Sequence, residues 1–395
     1  MTKTVQGGGW ISGRVAGAAL ALTIMLVPVV AASHAAQAQT YSVLYGFTGS
    51  GGALPFAGVI RDAAGNLYGT TFGGGAFGNG TVFKVETTGK ETVVYSFTGG
   101  GDGAGPQAGL TRDNAGTLYG TTWAGGTSGY GTVFKVNKTG KETVLYSFTG
   151  NGNDGARPYG GVIRDAAGNL YGTTFRGGAS GLGTVFKVAK RKETVLHSFT
   201  GADGENPYAS VIRDAAGNLY GTTSGGGAFG YGAVFKVGKT GKETVLYSFT
   251  VNGNDGTSPF GGVIRDAAGN LYGTTALGGA SAKGTVFKVD KTGKETVLYS
   301  FTGTGNDGAN PIMGLIRNKA GDLYGTTMAG GSSNAGTVYK VDSTGKETVL
   351  YDLNGGTDGA QPGYGHLVQD GKGNLYGTAS TGGSGGDGTV FKLTP

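Results

Sequence analysis

A small set of residues in this chain has side chains suited to ligand binding or acid–base chemistry and differs between the internal repeats described below. The set is Trp123, Arg157, Tyr159, Arg176, Glu205, Tyr208 and His366. Aromatic rings stack on sugar rings or anchor a protein partner, and arginine adds charge-assisted hydrogen bonds. Glycoside hydrolysis instead needs two positioned carboxyl groups, and the unrepeated acids here are scattered. The residue types therefore favour binding, and we assign no catalytic residue.

The composition and the linker motifs argue against a metal or cofactor. The chain has no cysteine, which excludes disulfides, zinc–thiolate sites and iron–sulfur clusters. Asp-Gly pairs recur before most repeats, at Asp102, Asp154, Asp203, Asp255, Asp307 and Asp358. Their oxygens could bind Ca²⁺, but the spacing lacks the EF-hand order and its terminal glutamate. Asp and Gly are common turn residues, so we favour turns and expect no metal and no cofactor.

An internal repeat decides which elements hold these residues. Copies of the segment from Gly160 to Thr174 recur through almost the whole sequence. Their Leu-Tyr-Gly step begins at Leu67, Leu118, Leu170, Leu219, Leu271, Leu323 and Leu375, at intervals of 49 to 52 residues. A fixed period of this length is typical of propellers, solenoids and repeat arrays.

Each copy predicts four short strands and no helix. In the third copy the strands are Val162–Arg164, Leu170–Thr174, Thr184–Val188 and Glu193–Phe199. The runs are short, rich in β-branched and aromatic residues, and bounded by Gly, Asn and Asp, which favours strand over helix. Adjacent apolar residues such as Val162 and Ile163 point to opposite faces, so both faces need cover. Blades stacked around an axis provide it.

The ends of the repeat region favour a closed ring over a solenoid. The last copy stops after a third strand, Thr389–Leu393, while Tyr41–Thr48 matches a fourth strand. Pairing these segments would complete the last blade, and a solenoid has no use for such a permutation. We therefore predict an all-β fold, a seven-bladed β-propeller of four-stranded blades over residues 39–395, closed by the N-terminal strand.

The loops that vary between copies should share one face of this ring. The linker into the first strand and the loop between the second and third strands emerge at the same end of an up-and-down blade. This face carries most of the unrepeated aromatic residues, namely Phe56, Phe72, Trp123, Tyr159, Phe175, Tyr208 and Phe260. Exposed, they would be platforms for a ligand. Buried, they would fill space between blades, and we favour this second interpretation.

The polar residues of the same face have weaker interpretations. Arg157 and Arg176 belong to the third copy and Glu205 to the next linker, which allows them to be neighbours. His366 replaces the Gly or Ser of the other copies on the innermost strand, near the expected mouth of the channel. A lone histidine more often packs or forms a hydrogen bond than catalyses. His197 stands where other copies have Tyr, and we interpret it as a structural substitution.

An arginine precedes the first turn in six of the seven copies. These residues are Arg61, Arg112, Arg164, Arg213, Arg265 and Arg317, with Gln369 in the last copy. A ring of arginines could bind an anion. Because the residue recurs in nearly every copy, we favour a repeated ion pair or hydrogen bond within the hairpin.

Residues 1–38 read as a signal peptide. Lys3 and Arg14 precede an apolar run from Val15 to Ala32, and Ala36-Gln-Ala38 fits the cleavage rule. The run is near the minimum length for a membrane span, which leaves an uncleaved anchor as the alternative. After cleavage no membrane span is expected, and we expect a secreted, periplasmic or cell-surface protein.

Net charge gives no sign of a nucleic-acid partner. Without Lys3 and Arg14, the chain has 29 basic and 25 acidic residues. The basic residues recur evenly on third strands and in Lys-Thr-Gly-Lys turns, which indicates a solvated pattern and not a basic stripe. We expect no nucleic-acid binding, and we expect a monomer.

The repeat resembles a known family. The pattern Gly-Val-Ile-Arg-Asp-x-x-Gly-Asn-Leu-Tyr-Gly-Thr-Thr, followed by Gly-Thr-Val-Phe-Lys-Val and Glu-Thr-Val-Leu-Tyr-Ser-Phe, is similar to the GloVer-type tandem repeat of exported bacterial proteins. The resemblance spans residues 40 to 395. It implies a surface or extracellular protein, often with a C-terminal anchor, and supplies no catalytic residues. Since Pro395 follows the last strand without such an anchor, free secretion or periplasmic residence is expected.

Two function classes stay open from the sequence. One is a non-catalytic binding or scaffold propeller that engages a glycan or a surface protein through its variable-loop face. The other is a propeller enzyme of glycosidase, lyase or lactonase type acting at the channel mouth. Binding is favoured because no carboxylate pair or metal cluster is evident.

The signal-peptide interpretation predicts cleavage after Ala38. N-terminal sequencing or intact mass of the protein recovered from its host should give a chain beginning at Gln39 or its pyroglutamate. Recovery of the chain with Met1 intact in the membrane fraction would instead support an uncleaved anchor.

Overall fold

The computed structural model describes residues 39–362 and 365–395, together with Gly9. Residues 38–395 form one compact unit. The predicted signal peptide and its cleavage site lie outside the described residues. The described part of the chain contains strands and turns and no α-helix.

Over residues 40–394 the strands form seven antiparallel blades around a central channel. The first, innermost strands are Ile60–Arg61, Thr111–Arg112, Ile163–Arg164, Ile212–Arg213, Ile264–Arg265, Ile316–Arg317 and Val368–Gln369. The second strands are Leu67–Thr71, Leu118–Thr122, Leu170–Thr174, Leu219–Thr223, Leu271–Thr275, Leu323–Thr326 and Leu375–Thr381. The third strands are Thr81–Val85, Thr132–Val136, Thr184–Ala189, Ala233–Val237, Thr285–Val289, Thr337–Val341 and Thr389–Thr394. The fourth strands are Glu91–Ser96, Glu142–Ser147, Lys192–Ser198, Glu243–Ser248, Glu295–Ser300, Glu347–Asp352 and, for blade 7, Thr40–Gly46.

Each linker pairs with the blade that follows it, through short strands in four blades and through a single bridge in blades 1, 2 and 4. Gly155–Ala156 pairs with Arg176–Gly177, Gly256–Thr257 with Leu277–Gly278, and Gly308–Ala309 with Ala329–Gly330. In blade 7, Ala360–Pro362 pairs with the second strand. These pairs place the linkers and the second-to-third loops at the same end of the blades, as the sequence predicts. We call this end the linker face.

The N-terminal strand closes the ring as predicted. Tyr41 pairs with Leu393 and Gly46 with Thr389 in an antiparallel ladder. The Tyr41 ring stacks on Tyr351 of blade 6 at a centroid distance of 3.9 Å, and its hydroxyl donates to the backbone carbonyl of Asp358 at 2.7 Å. The strand therefore completes blade 7 and also joins it to blade 6.

Hydrophobic cores lie between blades. Among the residues described, each of the seven junctions contains a cluster of buried apolar side chains from two neighbouring blades. At the junction of blades 2 and 3, the ring of Phe148 meets the ring of Phe186 edge-on at 5.2 Å, and both are fully buried. Edge-to-face contact is the favoured geometry of aromatic pairs. Neighbouring blades therefore cover the two apolar faces of each blade, as the sequence requires.

The glycine of Leu-Tyr-Gly is required by this packing. In blade 3, Gly172 lies opposite Phe186 in the ladder, and a Cβ at Gly172 would come within 2.8 Å of the Phe186 ring. The same close approach recurs in every blade, from Gly69 with Phe83 to Gly377 with Phe391. A side chain here would displace a fully buried ring, which explains why glycine occupies the middle of a strand.

A repeated hydrogen bond joins the inner edges of the blades. A second-strand threonine donates its Oγ1 proton to a carbonyl at the entry of the next blade, as from Thr173 to Ala209 at 2.8 Å. The bond from Thr378 to Ala57, at 2.9 Å, continues the series from blade 7 to blade 1. Ring closure therefore uses the same contact as the other junctions.

Deleting residues 39–49 should destabilise the whole ring. The deletion removes Phe47, which is fully buried, and exposes the edge of Thr389–Thr394. Because loss of one buried phenylalanine side chain costs about 3 to 5 kcal/mol, we expect a loss of at least that size by chemical denaturation, together with aggregation. A synthetic peptide of residues 39–49 should restore stability in trans, and the same peptide with Phe47→Asp should not. A deletion variant that melts like the parent would contradict closure by this strand.

Candidate functional site

The central channel encloses a cavity of about 970 Å³. Its wall is built from the first strands and from the residues just before them, and much of it is glycine backbone. At the linker face the wall carries Tyr159, Tyr208 and Phe260, and at the other end it carries arginines such as Arg112 and Arg265. The two ends therefore differ in chemistry.

Seven aromatic residues of blades 1 to 5 form a continuous series on the linker face, which we call the aromatic collar. Its members are Phe56, Phe72, Trp123, Tyr159, Phe175, Tyr208 and Phe260. Neighbouring ring centroids are 4.3 to 6.5 Å apart. The tightest pair is Tyr159 with Tyr208, whose rings stack at 4.3 Å.

The collar is neither wholly buried nor wholly exposed. Each of its rings is half-buried, and the contacts run from one blade to the next. The rings therefore fill space between blades, as the sequence analysis favours, and they also present part of their surface to solvent.

Two arginines lie over collar rings. The guanidinium carbon of Arg157 is 4.8 Å from the centroid of Trp123, and that of Arg176 is 4.8 Å from the centroid of Phe175. Arg176 pairs with Ala156 in the short linker ladder, which brings the two arginines close in the fold. Both side chains are exposed, and no carboxylate within the described ranges forms an ion pair with either.

The backbone holds Arg157 in place. Its φ of +56° is unusual for a residue with a side chain. Its amide donates a hydrogen bond to the carbonyl of Tyr130 at 2.8 Å, and its carbonyl accepts one from the amide of Phe175 at 3.1 Å. Trp123 beneath it has a buried indole N–H with no hydrogen-bond partner among the described groups.

Glu205 does not join the arginines. It forms a bridge with Gly225, and its carboxylate lies against that glycine, where a Cβ would come within 2.8 Å of Oε1. No ion pair to Arg157 or Arg176 is found in the described part of the chain. The predicted set is therefore brought together as Trp123, Tyr159 and Tyr208 with the two arginines, and Glu205 stands apart from them.

His366 lines the channel, as its position on the innermost strand predicts. It lies between blades 6 and 1, with its ring near Gly314 and its carbonyl against Gly58. The ring faces the channel but is surrounded by protein atoms on its other sides. The resulting loss of hydration disfavours the charged imidazolium and lowers the pKa of His366 below its ordinary value. The imidazole is therefore neutral at physiological pH.

Asp113 is the one carboxylate among the described residues that line the channel. It accepts hydrogen bonds from the amide of Thr117 at 2.9 Å and from the hydroxyl of Tyr119 at 3.0 Å within its own hairpin. It therefore has a structural role, and the described part of the channel wall offers no second carboxylate to pair with it.

The arginine ring at the other end of the channel is structural, but its contacts differ from those expected. Each arginine lies over the second-strand tyrosine of the preceding blade at 5.5 to 5.8 Å, as Arg213 does over Tyr171. That tyrosine donates to the aspartate of its own turn, as Tyr171 does to Asp165 at 3.0 Å. The interaction therefore crosses from blade to blade and does not stay within the hairpin. The sequence could not show this because the partners lie in different repeats.

The Asp-Gly motifs are turns. Asp102 accepts hydrogen bonds from the amide of Thr98 at 2.8 Å and from the hydroxyl of Tyr95 at 2.8 Å, and the other linker aspartates follow the same scheme. In blade 3, His197 takes the place of the tyrosine, and its Nε2 lies 2.9 Å from Oδ2 of Asp203. The contact agrees with the interpretation of His197 as a substitution for tyrosine.

Sequence reasoning missed a set of carboxyl pairs at the outer junctions. A fourth-strand glutamate of one blade approaches the linker aspartate that precedes it, and burial first, then the aspartate charge, raises its pKa to about 7. The affected residues are Glu142, Glu193, Glu243, Glu295 and Glu347. At Glu91 the linker has Gly51 instead of aspartate, and burial alone raises the pKa. The pairs join residues of different repeats, and their recurrence indicates a structural role.

Comparison with known families agrees with the repeat pattern. A family model described as the Gloeobacter/Verrucomicrobia repeat matches residues 32–152, 143–317 and 304–395. The chain belongs to this family. The resemblance noted in the sequence is confirmed, and the family model names no activity. No curated protein matches the chain.

Solved structures share the fold at low sequence identity. The chain is similar to the extracellular domain of a protein described as a hybrid two component system from B. thetaiotaomicron, with 15% identity and a TM-score of 0.58. The matched region covers 90% of this chain and 41% of the other, so this chain spans about two-fifths of that domain. Oligogalacturonate lyase from Vibrio parahaemolyticus is 12% identical, with a TM-score of 0.55 and coverage of 90% and 93%. These likenesses show the propeller fold.

The glutamate pKa values predict that stability falls as pH rises from about 5 to about 8. Between the ordinary glutamate pKa of 4.5 and about 7, the folded protein holds protons that the unfolded chain has released, so raising pH favours unfolding. The lowered pKa of His366 has the opposite effect on stability below pH 6.5. It is one group, whereas six glutamates, Glu91 included, have raised pKa values.

Thermal melting across this pH range measures the effect. Replacing Glu142, Glu193 and Glu295 by Gln should flatten the fall. Glu86→Gln should not, because the hydrogen bond from Lys84 lowers the pKa of Glu86 instead of raising it. A melting temperature that rises steadily to pH 8 would show that these carboxyls ionise normally.

Proposed function

We propose that this protein is a non-catalytic binding propeller that captures a glycan on its linker face. The observation that carries the proposal is the aromatic collar with Arg157 and Arg176 stacked over two of its rings. Half-exposed rings from successive blades offer a row of apolar faces to the faces of sugar rings.

The arginines favour a glycan that carries acidic groups. Each guanidinium is positioned over a ring and has no carboxylate partner among the described residues. Arginine matches the planar geometry of a carboxylate and binds it with two parallel hydrogen bonds. A uronic-acid unit could therefore stack on the collar and pair with an arginine at the same time.

The alternative is a propeller enzyme of lyase, glycosidase or lactonase type at the channel mouth. His366 favours it, since a neutral imidazole in a channel can accept a proton, and oligogalacturonate lyase has a similar fold. Binding is better supported because the described channel wall has only Asp113 as a carboxylate, and glycoside hydrolysis needs two positioned acids.

Export to the cell surface, the periplasm or the medium belongs to the same proposal. The signal-peptide pattern agrees with it, and two similar structures are extracellular domains. No helix of the described residues is long and apolar enough to cross a membrane. On this view the ring is a monomeric scaffold that presents the collar to a glycan or a surface protein.

A glycan array that includes uronic-acid oligosaccharides tests the proposal. Trp123→Ala should weaken binding by about 1 to 3 kcal/mol, as expected for an aromatic anchor. Arg157→Gln and Arg176→Gln should weaken binding to acidic glycans more than to neutral ones, because each variant keeps the side-chain stem and loses the charge. Thermal melting of each variant separates lost binding from lost folding.

Two variants serve as matched controls. Phe77→Ala removes an aromatic ring that is 60% exposed and lies outside the collar. Arg213→Gln removes an arginine that stacks on Tyr171 at the opposite end of the channel. Both should bind normally. Turnover of an oligosaccharide or lactone that is lost in His366→Ala would establish the enzyme instead, and capture of a protein but no glycan would change the class of partner.

A further inference from the structure

The junction of blades 3 and 4 differs chemically from the other junctions. At four other junctions a fourth-strand tyrosine, a linker aspartate and a glutamate of the next blade meet, as Tyr247, Asp255 and Glu295 do. At this junction the tyrosine is replaced by His197, which meets Asp203 and Glu243. One ligand-type atom of each of these three residues lies within 4.8 Å of the other two.

We propose that His197, Asp203 and Glu243 form a site for one divalent transition-metal ion of the Zn²⁺ type. Imidazole nitrogen with two carboxylate oxygens is a donor set that suits Zn²⁺, and three protein ligands leave a position for water. Ca²⁺ prefers oxygen ligands alone. The proposal is independent of glycan binding, because the site lies on outer strands and the collar lies at the inner ends of the linkers.

Neighbouring residues hold two of the proposed ligands in place. The amide and hydroxyl of Thr200 donate to Oδ1 of Asp203 at 2.8 and 3.0 Å, which orients the carboxylate and leaves Oδ2 toward His197. Such outer contacts are what fix metal ligands in place. His197 also packs edge-on against Phe199 at 4.9 Å, so the imidazole is held on one side by an aromatic ring.

Oε1 of Glu243 is buried and has no hydrogen-bond partner among the described groups, and the same is true of the equivalent glutamates at the tyrosine junctions. What sets this junction apart is the imidazole nitrogen beside the two carboxylates. The side chains of His197 and Asp203 are 16% and 18% exposed, so solvent and an ion can reach them. Tyrosine at the equivalent positions cannot substitute, since a phenol with an ordinary pKa of about 10 stays protonated at neutral pH.

The bound ion would join two blades. His197 and Asp203 come from blade 3 and the linker after it, and Glu243 belongs to blade 4. Because the ligands come together only in the folded ring, binding should stabilise the native state.

Isothermal titration calorimetry of the untagged protein with Zn²⁺ tests the site. The parent should bind one ion saturably with a rise in melting temperature, and Ca²⁺ should produce neither effect. His197→Tyr restores the residue found at the other junctions, so it should fold normally and lose the binding. Glu243→Gln should weaken it by more than about tenfold. Co²⁺ should give visible absorption bands in the parent that are missing from His197→Tyr.

A gain of binding provides the converse test. Tyr247→His places an imidazole beside Asp255 and Glu295 at the next junction, and this variant should bind a second ion. Equal Zn²⁺ binding by the parent and His197→Tyr would overturn the proposal, as would a parent that binds none. A folded Tyr247→His variant that binds no second ion would show that one imidazole and two carboxylates are insufficient to bind the metal here. That result would also count against the proposal.

Discussion

The contact between neighbouring blades is the interaction on which the rest of the structure depends. A single blade has apolar side chains on both faces and cannot bury either face alone. In the third blade, Phe186 packs over Gly172 of its own sheet and under Phe148 of the preceding blade. Glycine beneath the ring allows the sheet to lie close to it, and the phenylalanine above it seals the junction. Repeating this contact around the ring leaves no blade without two partners.

Because the same contact stabilises every junction, differences between blades can be used for other purposes. Blades 1 to 5 carry the aromatic collar, whereas the corresponding positions near blade 6 are aliphatic. There Ile312 and Met313 are buried and pack with Met328 and with Phe260 at the end of the collar. The aromatic series therefore occupies one part of the linker face, although the ring below is nearly regular. A chain built from repeats can acquire one specific surface in this way without changing its core.

Much of the fold could be predicted from the sequence because its causes are local. The strand runs, the turns and the orphan strand Thr40–Gly46 are each visible in one stretch of residues. The first strands proved shorter than expected: Ile163–Arg164 forms a ladder but Val162 does not. Val162 instead enters the core between blades 2 and 3. The linker face and the position of His366 followed from topology alone.

The contacts that could not be predicted all cross between repeats. Arg213 lies over Tyr171 and Glu142 approaches Asp102 because adjacent blades face each other. The repeat pattern does not predict which residues of one blade lie opposite which residues of the next. Periodicity also makes such pairs hard to recognise, because a residue that recurs in every copy is readily interpreted as part of a local turn. The cluster of His197, Asp203 and Glu243 had one sequence signal, a histidine in a column of tyrosines, but its glutamate partner lies in the next repeat.

Closure by Thr40–Gly46 has a consequence for the order of folding. Tyr41 and Asp358 are 317 positions apart in the chain, and Thr378 and Ala57 are 321 apart, whereas the hairpins within blades 1 to 6 are local. The local sheets can form early, but the seventh blade must wait until the last strand is available to meet the first. Loop-closure entropy and contact order both make such a step slow. During synthesis the chain therefore passes through an open arc of six blades whose two ends expose apolar faces, and this arc is the species most exposed to aggregation.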